Sequence, residues 1–566
     1  MESRQKNILI LAAILATTLI VYWPSLRGQF TNWDDRPLVA ENPAIRSLAP
    51  ANVARIFVST NRGAYLPVRL LSYAVDYSVW GNNPFGYHLV NGLLHALNAF
   101  LVYLLVGRLF NSTGAALAAC FFLVHPVQVE SVAWISGRKE VLCGFFLLLS
   151  LLCYPKRYAL TLGFFVLACL SKASAIVLPL LLVALVLAKE RTGWRDFAKR
   201  LWPFFAMAAV IFAVNVAVGA SYGVVKSYHG GFVATALTMT RVVADYIQCV
   251  LLPTNLSAKY FVPPISSPLS GAFLSAVCLI AALALLIAAA YVRTRNAGGV
   301  QASPLHDCAR MAALGGLWFI VALLPFLNII PISTLRADRY LYVAMVGAGL
   351  VFAAVLNIIR CVPLVACNQW YFRVPRVVGI IVLVCLGVLS WQRAHIWTDS
   401  VALWLDTVAK SPLSPMSHAN LGAAYLERGQ RDLAERQFED ALACDPNFAI
   451  ALTNLSLIWS EEGKRDQALD AARRAVKADP TNADAQLNLG RLQADGNDLD
   501  AAYLSFGEAA KLDPFLPEAY YNLAQLHLMR GQLDLAEANA RKALQLGLPD
   551  ARSILDQVQA KRKLQP

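Results

Sequence analysis

The stretch Asn420-Leu-Gly-Ala-Ala-Tyr-Leu-Glu-Arg-Gly429 decides the fold of the C-terminal part of the chain, because it returns three times at a spacing of 34 residues. The matching positions are Asn454, Asn488 and Asn522 for its first residue, and Gly463, Asn497 and Gly531 for its last. Small residues recur between these stretches at Ala434, Ala468, Ala502, Ala536 and at Ala441, Ala475, Ala509, Ala543. Small residues let two helices approach, Gly or Asn accepts a left-handed turn, and an Asp-Pro step such as Asp445-Pro446 separates repeats. Each repeat is therefore predicted to be a pair of helices.

Helix pairs at this period are typical of tetratricopeptide (TPR) repeats, which stack into a solenoid. We predict such a solenoid over residues 393–566, with residues 397–410 as a half-repeat and residues 550–563 as a capping helix. Its concave groove is predicted to bind an acceptor polypeptide. The alternative is a scaffold whose groove binds no substrate.

The remaining two thirds of the chain are strongly apolar. Of the 566 residues 57% are hydrophobic and 15% are charged, and the mean hydropathy is +0.51, which excludes an ordinary soluble globular protein. The formal net charge is +13, but the basic residues form no stripe with interleaved aromatic residues, so we expect no nucleic-acid partner. The composition predicts a polytopic membrane protein that is all-α.

Eleven apolar stretches before residue 393 are predicted membrane spans. They are residues 7–24, 88–107, 112–125, 140–154, 158–171, 173–188, 201–220, 271–292, 310–330, 340–359 and 374–392. With the N-terminus in the cytoplasm, every second loop is basic, as the positive-inside rule requires. Residues 232–252 contain Arg241 and Asp245 and are predicted to be an amphipathic helix on the outer surface. About eleven spans then place both the long first loop, residues 25–87, and the repeats outside.

Asp34-Asp35 lies in this first outer loop, within Phe30-Thr-Asn-Trp-Asp-Asp-Arg36. Carboxylates are costly next to hydrocarbon, so an acidic pair at the bilayer surface is a candidate site. The same loop contains Asp76 and leads to His88, among aromatic and Asn residues that suit a sugar ring. The alternative is a solvated acidic turn.

A second candidate is the block from His125 to Glu140, in a predicted outer loop. If this block is helical, Glu130, Trp134 and Arg138 share one face at spacings of four. Together with Lys139, these groups are suited to a phosphate headgroup at the lipid surface. An interfacial helix with a structural Glu-Arg pair is the alternative.

A third candidate is Arg336-Ala-Asp338-Arg339-Tyr340, in a short predicted outer loop. The positive-inside rule disfavours two arginines in an outer loop, and binding of an anion would account for their presence there. Ion pairing of Asp338 with either arginine explains them equally well.

These parts together resemble the transmembrane and tetratricopeptide-repeat O-mannosyltransferases, members of the GT-C class of polyprenyl-dependent glycosyltransferases. The resemblance rests on Trp33-Asp-Asp-Arg36, the His88 to Asn98 segment, the His125 to Glu140 block, Arg339-Tyr340, and Trp397 running into the repeats. It implies a GT-C-like membrane domain over residues 1–392 and a polyprenyl-phosphate sugar as donor, with mannose expected. It also implies an acidic catalytic base in the first outer loop, which by position is Asp34 with Asp35 as helper or substitute.

The remaining site residues are assigned by combining this resemblance with the three candidate segments. The expected phosphate ligands are Arg138, Lys139, Arg336 and Arg339, and the expected substrate-binding residues are His125, Glu130, Trp134, Asp76, His88 and Tyr340. No metal ligands are assigned, although a divalent cation remains compatible with the sequence.

The sequence leaves open a different class of function, a membrane-anchored assembly factor of the cell envelope without enzymatic activity. A transporter is disfavoured, because the spans lack mid-membrane charges and inverted internal symmetry. For the enzyme we expect a bacterial inner membrane, with the active site and the TPR domain in the periplasm, or the endoplasmic reticulum in a eukaryote.

Overall fold

A computed structural model describes residues 2–58, 65–189, 194–221, 231–296, 304–332, 334–361 and 370–564. Within these ranges every regular element is a helix and none is a strand, which confirms the predicted all-α class. The chain divides into two compact units, residues 1–410 and residues 411–566.

The first unit contains sixteen α-helices among the described residues. They are α1 Glu2–Val21, α2 Pro50–Val58, α3 Pro67–Trp80, α4 Pro84–Leu109, α5 Ser112–Val124, α6 Val129–Ala133, α7 Arg138–Cys153, α8 Tyr158–Ser171, α9 Leu178–Lys189, α10 Trp194–Ser221, α11 Gly231–Leu251, α12 Gly271–Asn296, α13 Pro304–Leu323, α14 Ala344–Cys361, α15 Trp370–Ile396 and α16 Ser400–Lys410. Capping side chains begin some of them: Asn83 accepts a hydrogen bond from Phe85 N at the start of α4, and Asn111 accepts one from Gly114 N at the start of α5.

Six described helices are long and apolar enough to cross a membrane. They are Arg4–Val21, Pro84–Leu109, Ala198–Ala220, Gly271–Ala289, His306–Phe326 and Val377–Ile396. A seventh span results if α5 and the following Pro126–Ala133 segment, bent by 51°, cross together. The chain is thus a multi-pass membrane protein, but the predicted count of about eleven is not confirmed. Predicted spans such as Tyr158–Ser171 form helices well short of the roughly 20 residues that hydrocarbon requires.

The second unit consists of nine helices in the part that the structure describes. They are α17 Pro415–Glu427, α18 Arg431–Cys444, α19 Ala449–Glu461, α20 Arg465–Ala478, α21 Ala483–Asp495, α22 Leu499–Leu512, α23 Pro517–Met529, α24 Leu533–Gln545 and α25 Ala551–Leu564. The predicted turn residues Gly429, Gly463, Asn497 and Gly531 have φ of 71°, 76°, 62° and 70°. The paired helices pack closely, since a Cβ added at Gly422 would lie 2.8 Å from the Phe438 ring. The predicted helix-pair solenoid is confirmed.

An apolar cluster fixes the first outer loop against the His125 to Glu140 block. Val39 and Ile45 from the loop, Tyr73 from α3 and Tyr87 from α4 are fully buried together with Ile135. The Tyr73 hydroxyl donates to the Ile135 carbonyl at 3.0 Å, so its polar end is satisfied within the cluster. The loop that contains the acidic pair is therefore held in a defined position.

Candidate active site

Asp35 joins the first outer loop to the His125 to Glu140 block. One carboxylate oxygen accepts hydrogen bonds from Thr31 N at 3.0 Å and Thr31 Oγ1 at 2.8 Å. The other accepts from Ser136 N at 2.9 Å and Ser136 Oγ at 2.6 Å. The side chain is fully buried, and burial raises its pKa to about 6. With both oxygens occupied, Asp35 is suited to holding two segments together.

Asp34 differs from its neighbour in burial and in hydrogen bonding. It is half-buried, and its carboxylate accepts no hydrogen bond from any residue that the structure describes. Two cations lie near it, Arg69 in α3 and Lys139 at the start of α7; burial lowers the pKa of both, and the charge of Asp34 opposes this effect. Of the two acidic residues, Asp34 is therefore the one whose carboxylate is available to a ligand and lies beside positive charge.

Stacked tryptophans form the wall next to Asp34. The rings of Trp33 and Trp134 lie 4.9 Å apart at an interplanar angle of 21°, and Trp397 stacks on Trp33 at 6.3 Å. The Arg339 guanidinium lies 5.4 Å from the centroids of both Trp33 and Trp134. The acidic loop, the His125 to Glu140 block and the Arg336 to Tyr340 segment therefore meet at one place.

Arg138 lies in a closed network in which protein groups occupy its nitrogens. Its Nε donates to Asn91 Oδ1, and its Nη2 donates to Asp76 Oδ2 at 2.6 Å and to the Tyr87 carbonyl at 3.0 Å. Arg138 is 0% exposed and Asp76 is 5% exposed. This geometry makes Arg138 and Asp76 a buried ion pair in which protein groups engage each of the three guanidinium nitrogens.

Glu130 and Arg339 form a second buried ion pair. Arg339 donates to Glu130 through its backbone N at 2.9 Å and through Nη1. Glu130 is fully buried, but Arg339 also lines a small pocket, together with Glu140, Lys172, Phe326 and Tyr340. Glu130 thus orients Arg339, while Arg339 remains next to open space.

The same pocket contains a third pair, Glu140 and Lys172, which are joined by a hydrogen bond. Tyr340 stacks on Phe326 at 4.2 Å, and the Lys172 ammonium lies 4.5 Å from the Phe326 ring. The other oxygen of Glu140 is buried without a hydrogen-bond partner among the described residues. Cations, a carboxylate and stacked rings together suit a phosphorylated sugar.

Arg336 and His125 are engaged by other protein groups, and His88 lines a cavity. Arg336 donates to Asp245 of α11 at 3.0 Å and lies 3.9 Å from the Tyr260 ring. His125 Nε2 is 3.0 Å from the Val250 carbonyl, and its Nδ1 accepts from Val127 N. His88 is buried at the start of α4, where it lines an apolar cavity with Tyr22. None of these contacts involves Asp34.

Sequence reasoning missed Arg69, which is almost completely buried near Asp34, and it assigned no separate role to Glu140 within the His125 to Glu140 block. Helical spacing contained a signal for Arg69, since Arg69, Tyr73 and Asp76 share one face of α3. In the ranges that the structure covers, no three His, Cys, Asp or Glu residues form a metal-binding group. The divalent cation stays a prediction.

Comparison with known proteins agrees with this architecture. Tetratricopeptide repeat families match residues 415–440, 460–517 and 506–538. Protein O-mannosyl-transferase F38B6.6 of Caenorhabditis elegans is 23% identical over 79% of this chain and 64% of its own length. Protein O-mannosyl-transferase TMTC1 of Mus musculus is 37% identical over 26% of this chain and 17% of its own. The predicted resemblance to O-mannosyltransferases with TPR repeats is confirmed.

These matches cover only part of each relative. The chain spans less than two thirds of the length of the two O-mannosyl-transferases. A solved TPR protein of Thermus thermophilus is 24% identical and covers 32% of this chain and 93% of its own, with a TM-score of 0.24. A TM-score this low does not support a structural assignment. The TPR assignment therefore rests on the repeat pattern, the family matches and the helices themselves.

Proposed function

We propose that the chain is a membrane glycosyltransferase of the GT-C class. It transfers a sugar, with mannose expected, from a polyprenyl-phosphate donor to a hydroxyl group of a protein acceptor on the extracytoplasmic side. The observation that carries the proposal is the Asp34 carboxylate, which is half-buried, bears no protein hydrogen bond in the described ranges, and lies beside buried cations. The similarity to two protein O-mannosyl-transferases supports the reaction class.

Asp34 acts as the general base in this reaction. It takes the proton of the acceptor hydroxyl as that oxygen attacks the anomeric carbon of the donor sugar. The bond from this carbon to the phosphate oxygen breaks, its electron pair leaves with the lipid phosphate, and the configuration inverts. A positioned base of this kind contributes roughly 100- to 10,000-fold to the rate.

The leaving phosphate gains negative charge as this bond breaks, so fixed cations next to it lower the barrier. Lys139 lies 5.3 Å over the Trp134 ring and forms no hydrogen bond with the described part of the chain. Arg339 is already oriented by Glu130. These two predicted ligands can serve the phosphate, whereas Arg138 and Arg336 are engaged elsewhere.

The TPR unit binds the acceptor polypeptide in this proposal. TPR repeats are protein-binding solenoids, and four helix pairs provide a concave surface. The donor is a membrane lipid, so the enzyme acts at the extracytoplasmic face of its membrane. In a bacterium this is the periplasmic face of the inner membrane, and in a eukaryote it is the lumenal face of the endoplasmic reticulum. No nucleic acid takes part.

The experiment is transfer by the purified full chain in lipid vesicles, with radiolabelled polyprenyl-phosphate sugars and candidate extracytoplasmic polypeptides. We expect label to enter the polypeptide with wild-type protein and to be lost with Asp34→Asn. A matched control is Arg55→Gln, an exposed residue of α2, which should transfer at the wild-type rate. Absence of transfer from every donor, with envelope defects that follow changes in the TPR groove only, would support the assembly-factor alternative.

A further inference from the structure

Arg69 is a buried cation without a counter-ion. Its side chain is 4% exposed, and its Nε has no hydrogen-bond partner. Across the described residues the guanidinium makes no hydrogen bond and no ion pair. A buried charge is costly unless it is paired. An unpaired buried guanidinium is therefore expected where a ligand from outside the protein supplies the counter-ion.

The orientation of Arg69 follows from its helix. Tyr73 and Asp76 lie four and seven residues further along α3, on the same face. Tyr73 donates to the Ile135 carbonyl, and Asp76 pairs with Arg138 at the start of α7. Arg69 therefore faces the same block, near Lys139 and near Asp34, whose neighbour Asp35 is bonded to Ser136.

The other cations around the site have protein carboxylates as partners. Arg138 pairs with Asp76, Arg339 with Glu130, and Lys172 with Glu140. Among the described residues around Asp34, only the cations Arg69 and Lys139 have no ion pair. The one nearby carboxylate that accepts no hydrogen bond within this described region is that of Asp34. One positive charge is thus left over, which equals the single negative charge of a phosphodiester.

We propose that the Arg69 guanidinium binds the phosphate of the lipid-linked donor and stays bound to it as the phosphate leaves. The inference rests on the proposed function and assigns a new residue to it. When the sugar–oxygen bond breaks, the phosphodiester becomes a monoester that carries about 1.5 to 2 negative charges near neutral pH. Arg69 and Lys139 then stabilise the product charge more than the donor charge, which is the condition for catalysis. The planar guanidinium donates two parallel hydrogen bonds to phosphate oxygens, which an ammonium group cannot do.

The test measures binding separately from turnover. Polyprenyl phosphate, polyprenol and inorganic phosphate are titrated into full-length protein in nanodiscs, with the thermal shift and the dissociation constant as readouts. Wild type should bind polyprenyl phosphate well, polyprenol weakly, and inorganic phosphate far more weakly than the lipid. Arg69→Gln should bind polyprenyl phosphate about 10- to 100-fold more weakly. Arg69→Lys should recover part of the loss, and Arg55→Gln should bind as wild type does.

The ligand-free melting temperature separates a ligand-binding role from a structural one. Removal of an unpaired buried charge should leave ligand-free Arg69→Gln as stable as wild type or more stable. A variant that fails to fold, or that melts lower while keeping the full ligand shift, would overturn the assignment. Equal binding of inorganic phosphate and polyprenyl phosphate would also overturn it, because the site would then take free phosphate.

The same assay distinguishes the two proposals. Asp34→Asn should bind polyprenyl phosphate at least as tightly as wild type, since a neighbouring negative charge is removed, while transfer is lost. Wild-type binding by Arg69→Gln, together with loss of transfer in Asp34→Asn, would reject Arg69 and keep the glycosyltransferase. No binding of polyprenyl phosphate by the wild-type protein would reject both.

Discussion

Asp76→Ala is expected to destabilise the membrane unit strongly, because it leaves Arg138 buried without its counter-ion. Arg138 is 0% exposed, and its Nη2 donates to Asp76 Oδ2 at 2.6 Å. Its remaining nitrogens are bound to Asn91 and Ser72, and Nη2 also reaches the Tyr87 carbonyl, so the guanidinium cannot turn toward water without losing these bonds as well.

The magnitude follows from the burial of both partners. Breaking a buried ion pair by removal of one partner costs about 3–5 kcal/mol, mostly through the charge that is left without a counter-ion. Arg138→Gln should cost a similar amount. The double variant should cost less than the sum of the two single variants by about 1–3 kcal/mol, since the two residues share one network.

The assay is denaturation of the purified chain in detergent, followed through tryptophan fluorescence, with Arg55→Gln as the control. A ligand role for Arg138 makes the opposite prediction, in which Asp76→Ala retains its stability and loses donor binding. Wild-type stability of Asp76→Ala would therefore refute the structural assignment of this pair.

Two further predictions concern pH. Burial raises the pKa of Asp35 to about 6, above its unfolded value of about 3.9, so the stability contributed by Asp35 falls as the pH rises between these values. The free energy of unfolding of wild type relative to Asp35→Asn should therefore drop by about 3 kcal/mol across that window. Denaturation curves that give the same free-energy difference between the two proteins at each pH would contradict this. Burial and the nearby Arg339 lower the pKa of Lys139 to about 8, so transfer should decline above that pH as the charge is lost. Lys139→Arg should remove this decline in a pH–rate profile, and an unchanged alkaline limb would show that Lys139 does not act as a cation in the reaction.

The repeats could be predicted in detail because each one forms the same contacts at the same offset. Gly429, Gly463 and Gly531 recur where the chain must take a positive φ, and Asn497 replaces glycine where Asn tolerates it. The small residues Ala434 and Ala468 recur at contacts between helices that leave no exposed surface. A periodic structure repeats its constraints, and the sequence therefore shows them.

The site was less accessible to sequence reasoning, because pairing between distant segments decides the role of each charge. Asp34 and Asp35 are adjacent in sequence, yet only Asp35 turns toward Ser136, a residue about one hundred positions later. Arg138 and Arg69 are both basic and buried, and only the position of Asp76 determines which of them has a counter-ion. The sequence identified the three segments as candidates, whereas their meeting and the assignment of partners within them required the fold.

The measurement that tests the central claim most directly is the transfer rate of Asp34→Asn at donor concentrations that saturate binding. The account predicts a rate at least about 100-fold below wild type, with an unchanged melting temperature and undiminished affinity for polyprenyl phosphate. Transfer at the wild-type rate by this variant would contradict the account.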